Sequence, residues 1–201
     1  MTPARIAGFP RERGAPPLLF PAGSNSAVAF RDRMDWSIRA VEPGAYAVAD
    51  VFQGLEGSHT LAALYPSESD RRAAVRSTRL VVTPEDVYGY VDDGDGAIHL
   101  GHEHLTTGNP LVVLLDILHE LVHVKQLTEG RDLYDTRYPY VDRPTEIEAY
   151  ALVVEEARLL GMSERDVAGY LYVEWASRED HRRLCRRRGV DVDGGSPPER
   201  E

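Results

Sequence analysis

The strongest signal along the chain is a mainly apolar stretch from Leu111 to Leu127, opened by Asn109-Pro110 and closed before Gly130. Asparagine at the N-cap and proline at the first helical position make a good helix start, so the pattern predicts a long, largely buried helix. A second helix is predicted from about Arg143 or Thr145 to Leu160, stopped by Gly161. Phe30, Met34, Ile38 and Val41 recur at the spacing of one helix face, which predicts a helix over Ser26–Val41 ended by Pro43-Gly44. Ser67 with Asp70, Ser163 with Asp166 and Ser177 with Asp180 resemble capping boxes. They open predicted helices to about Ser77, over 164–176 and over 178–188.

Between these helices, Leu80–Thr83, Val87–Val91 and Ala97–Leu105 are β-branched or aromatic runs, separated by Pro84 and by the acidic turn Asp92–Gly96. They read as strands, the last two as a hairpin. The acidic turn lacks the 12-residue ligand spacing and terminal glutamate of a calcium loop. The stretch Ala45–Tyr65 is apolar but broken by Gly54 and Gly57, and no single element type fits it. Helices and strands that segregate in this way predict an α+β domain over 26–188. Residues 1–25, with five prolines and three glycines, read as an N-terminal arm, and 189–201 as a loose tail.

Composition narrows the functional classes. The 201 residues carry 23 basic and 33 acidic side chains, a net charge of −10. A surface built for nucleic acid or anionic lipid needs the opposite sign, so neither is the expected partner. No run approaches the roughly 20 apolar residues of a membrane span, and Met1–Gly14 lacks the apolar core of a secretory signal. With one cysteine, Cys185, no internal disulfide can form. The expected location is cytoplasmic.

The chemistry sits in the buried helix, as His119-Glu120-Leu121-Val122-His123. Residues four apart on a helix share a face, so both imidazoles can reach one metal ion while Glu120 stands at its flank. Zinc lowers the pKa of a bound water towards about 7, and a neighbouring carboxylate can take its proton. Chance would supply such a motif about 0.02 times in a chain of this composition. A third protein ligand is needed if one position is to stay open. Glu146 lies at the centre of the apolar face of the second helix, among Ala149, Tyr150, Val153 and Ala157, which favours it over Glu148.

HELVH at 119–123 followed, after 22 residues, by EIEAY at 146–150 resembles the gluzincin-type zinc metallopeptidases. Together with Ile98–His102, the resemblance spans about Val87–Leu160. It implies a zincin-like fold with an edge strand that binds extended peptide antiparallel to itself. It also implies zinc held by His119, His123 and Glu146, and Glu120 as general base acting on a peptide or protein substrate. Many members carry an acidic residue four positions after the glutamate ligand to support a histidine. Here Tyr150 stands there, and Asp116 is the substitute considered.

A donor for the developing oxyanion is also required. Tyr140 and His102 are assigned this role, with Tyr138 and His104 as alternatives, the two histidines reading as one face of a strand. Glu146–Met162 more faintly resembles the second ligand helix of regulatory metallopeptidases that act with helix-turn-helix repressors. A zinc-stabilised interaction module without catalysis is the other alternative. The run Arg182–Arg188 reads as a solvated basic face, and Cys185 inside it as structural.

Overall fold

A computed structural model describes residues 35–191; the predicted arm 1–25, the first part of the predicted helix 26–41 and the tail beyond Asp191 lie outside the described residues. Within them the chain runs β1 (Ser37–Ile38), β2 (Gly44–Ala47), α1 (Val48–Val51), β3 (Phe52–Gln53), a 3-10 turn (Leu55–Gly57), α2 (His59–Leu64) and α3 (Glu68–Ser77). It continues through β4 (Arg79–Thr83), β5 (Tyr90–Val91), β6 (Ile98–Gly101), α4 (His102–Thr107) and α5 (Pro110–Thr128). A 3-10 turn (Tyr140–Asp142), α6 (Pro144–Leu159), α7 (Glu164–Tyr170) and α8 (Arg178–Arg187) complete it. The architecture is mixed α+β.

Four strands form one sheet in the order β2-β4-β6-β5, with β4 and β6 parallel and both outer pairs antiparallel. β5 is therefore an edge strand. A separate two-stranded ladder pairs Ser37 with Gln53 and Ile38 with Phe52. This ladder replaces the C-terminal part of the helix predicted over Ser26–Val41. Pairing with β3 and the bond from Arg39 N to Val51 O satisfy the backbone, and Trp36, Ile38 and Val41 pack onto the core from an extended chain.

The strand predicted over Ala97–Leu105 ends at Gly101, where the chain turns into α4. Its partner explains the stop. Thr83–Gly101 is the last β4–β6 pair, and Pro84 cannot extend the ladder. Val87–Val91 likewise contributes only Tyr90–Val91 to the hairpin. The segment before β5 instead leans across β6, with Gly101 N bonded to Val87 O at 3.1 Å. A Cβ on Gly101 would sit 2.2 Å from that carbonyl oxygen, so only glycine permits the approach. α7 ends at Tyr170, short of the predicted 176. Leu171 and Val173 are both buried, two residues apart, which one helix face cannot satisfy.

The expected caps are present. Asn109 Oδ1 accepts from Leu111 N at 2.9 Å, and Ser67, Ser163 and Ser177 each accept from the residue three positions on. α5 is the central element, packed against β5 and β6 on one side and α6 on the other, with α2 closing over both helices. Glu156 on α6 reaches Thr60 N at the start of α2 at 2.7 Å, a buried bond that fixes α6 against it.

Candidate metal centre

Four polar side chains converge where α5 meets α6: His119, Glu120 and His123 from the first helix and Glu146 from the first turn of the second. Each is no more than 8% exposed. Nε2 of His119 lies 2.9 Å from Nε2 of His123, and Oε2 of Glu146 lies 3.2 Å and 3.5 Å from them. A tetrahedral divalent ion with ligands at about 2.0–2.1 Å keeps them roughly 3.3 Å apart. The triangle of acceptor atoms matches that spacing, and Glu146 Oε2 has no hydrogen-bond partner although buried. Buried beside two imidazoles, the carboxylate needs positive charge, from a bound cation or from a protonated imidazole. The group can hold a metal ion, and imidazole with carboxylate suits several first-row divalent metals.

The neighbours of His123 determine which of its nitrogens is free. Gln126 Nε2 donates to Thr145 O at 3.0 Å and to Glu148 Oε2 at 2.9 Å, both obligatory acceptors. Gln126 Oε1 must therefore be the atom facing His123 Nδ1, at 2.8 Å, and that nitrogen carries the proton. In the unprotonated imidazole that a metal requires, the Nε2 lone pair then points at the cluster. Arg131 holds Glu148 from outside. Glu148 thus fastens this chain of bonds and is not a member of the ligand triangle. Replacing Gln126, which is 1% exposed, by leucine is expected to weaken metal affinity about 10- to 100-fold. Competition with a chelator measures it, and affinity equal to that of the parent protein would remove Gln126 from this role.

His119 is held differently. Its Nδ1 has no partner, and the Tyr150 ring packs against it at 4.6 Å. Tyr150 therefore meets this histidine through its ring, and not through the hydrogen bond an acidic residue would make there. Asp116 is not the substitute for that bond. Its Oδ2 lies 2.8 Å from His104 Nε2, and Tyr170 also bonds to it.

Electrostatics sharpen the assignment. Burial pushes the Glu120 carboxyl above its usual range, against the pull of His123 and His119. Burial acts the same way on Glu146, but the two histidines outweigh it and hold its carboxyl low. For His123, burial alone would lower the value, yet the Glu146 and Glu120 carboxylates raise it from 6.5 to about 9. A raised folded value stabilises the fold fully below pH 6.5, and that stabilisation is lost as pH climbs through about 9. With a chelator present, Tm is expected to fall between pH 6.5 and 9.5. With metal bound, which requires the unprotonated imidazole, that fall should vanish. A chelated protein whose Tm is flat over this range would contradict the pairing of His123 with Glu146.

Of the candidate donors, Tyr140 is joined to the cluster through Tyr150, whose ring packs on His119. Its hydroxyl is 3.1 Å from that of Tyr150, and burial keeps its phenol protonated far above the ordinary range. His102 begins α4 and does not continue the strand, and among the described residues the cluster's hydrogen bonds, ion pairs and ring contacts do not include it. His104 faces Asp116 and the edge of the Tyr88 ring, and Tyr138 is 42% exposed, stacked only under Arg137. In the basic run, Arg183 and Arg187 pair with Asp142. Cys185 is buried and burial raises its thiol to about 11, as befits a structural residue.

Gly89, just before β5, completes the surroundings: a Cβ there would lie 3.4 Å from Glu120 Cγ. The sheet edge therefore passes directly beside the carboxylate. Gln126 and Gly89 stand in no recognisable motif; only the i, i+3 spacing of Gln126 from His123 offers a signal. No helix is long and apolar enough to cross a membrane among the described residues. Comparison of the chain with protein-family models, curated proteins and solved structures finds no match.

Proposed function

We propose that the chain is a small zincin-like metallopeptidase that hydrolyses peptide bonds with zinc held by His119, His123 and Glu146. The observation that carries this reading is the placing of Glu120, a buried carboxylate outside the ligand triangle, between that triangle and the edge of a sheet. A structural metal site has no use for such a group. Bound zinc would supply Lewis-acid polarisation and a more acidic water.

The chain's own residues supply the rest. Burial raises the affinity of Glu120 for a proton, which suits a base that takes one from the attacking water. As the carbonyl carbon–nitrogen bond breaks, Glu120 returns that proton to the leaving amine. Tyr140, kept protonated by burial and bonded to Tyr150, is the donor suited to the carbonyl oxygen as charge develops on it. Gly89 gives a peptide backbone access to the edge beside Glu120. The test is to incubate the zinc-loaded protein with a diverse peptide mixture and identify new termini by mass spectrometry. Cleavage supports the reading; intact peptides throughout would overturn it.

A further inference from the structure

The edge beside Glu120 is not free along its length. Asp92 N donates to Ala97 O at 2.9 Å, and Tyr90 pairs with His99. In an antiparallel ladder the inward-facing residues alternate, so Tyr90 and Asp92 turn their peptide groups to β6, while Gly89 and Val91 turn theirs outward. An incoming strand would use those outward groups. One is already taken: the Tyr134 hydroxyl donates to Val91 O.

At the other end the Tyr88 hydroxyl donates to Glu174 Oε1 at 3.3 Å. Glu174 lies in the turn after α7, and the next residue, Trp175, packs its ring against Tyr140 at 5.6 Å. The Tyr88–Glu174 bond therefore ties the sheet edge to the wall that carries Tyr140. The stretch left open between Tyr88 and Val91 is three residue steps, about 10 Å at roughly 3.4 Å per residue.

We infer that this doubly capped edge restricts the substrate to short peptides of about two to four residues, an inference that rests on the peptidase reading above. A long chain cannot add as a strand past Val91, because the Tyr134 hydroxyl occupies the acceptor it would use, and at the other end the Tyr88–Glu174 bond draws the loop after α7 up to the sheet. The extended-substrate edge implied by the family resemblance is thereby shortened to the neighbourhood of Gly89. Tyr134 and Tyr88 become the residues that set substrate length.

The experiment uses the zinc-loaded protein and peptides of two to twelve residues built outward from one central sequence. Two measurements are made: kcat/KM for the parent protein, and Kd by calorimetry for the Glu120→Gln protein. Both are expected to favour the shortest peptides, with a drop of about tenfold or more beyond four residues, the worth of a backbone hydrogen bond denied. Tyr134→Phe removes only the hydroxyl over Val91 O. It should improve the long-to-short ratio about tenfold, and Tyr88→Phe should relax the opposite end. If internal bonds of the twelve-residue peptide are cut as well as the short ones, the length limit is wrong and the peptidase reading stands. If peptides of every length are neither cut nor bound, both fall together.

Discussion

Replacing Glu146 by alanine is expected to take the protein from one bound metal ion per chain to none. The carboxylate closes a triangle whose other corners are two imidazole nitrogens on a single helix, and its Oε2 has no other partner. Without it two ligands remain, too few for a stable site on one helix face. Loss of a residue that merely supports a ligand costs about 10- to 100-fold in affinity, and loss of the ligand itself should exceed that range. Glu148→Ala provides the comparison, since Glu148 reaches the centre only through Gln126 and should leave the ion in place. Elemental analysis after gel filtration reads both. Metal retained by the Glu146 variant and lost by the Glu148 variant would reverse the assignment.

Glu120→Gln is expected to separate binding from turnover. The amide keeps the shape of the carboxylate and fills the same space beside Gly89, but it cannot take a proton from water. Because Glu120 lies outside the ligand triangle, metal content should remain at one ion per chain. Peptide turnover should fall by about 10²- to 10⁴-fold, the usual contribution of a positioned base. Undiminished turnover would remove Glu120 from the role of base. Loss of both metal and turnover would instead make it a ligand.

The parts legible in the sequence were those fixed by local chemistry. Asn109-Pro110 and the three serine caps announce helix starts because the cap bonds lie within three residues. His119, His123 and Glu146 are legible as a group because helical spacing and one apolar face orient all three. The misreadings share the opposite property. Ile38 fits a helical period, but its neighbours are decided by β3, fourteen residues later. His102 and His104 alternate like a strand, yet that strand ends because Pro84 terminates its partner. Asp116 stands one turn before His119, and only the fold reveals that α4 delivers His104 to it. Gly89 carries no motif at all, and Tyr134 is one of three tyrosines in a loop whose partner, the Val91 carbonyl, only the fold reveals.

Glu146 follows His119 by only 27 positions, on a helix packed directly against the first, whereas 86 separate Tyr88 from Glu174. On the logarithmic law of loop closure, the second contact costs about 1 kcal/mol more entropy than the first. During folding, then, the His119–His123–Glu146 cluster belongs to a local helical hairpin, while the Tyr88–Glu174 contact waits for the sheet and the C-terminal helices to arrive. A metal ion present in the refolding mixture meets its ligands in the earlier of these structures. Its binding energy is thus available to hold the hairpin together while the more distant contacts are still to be made.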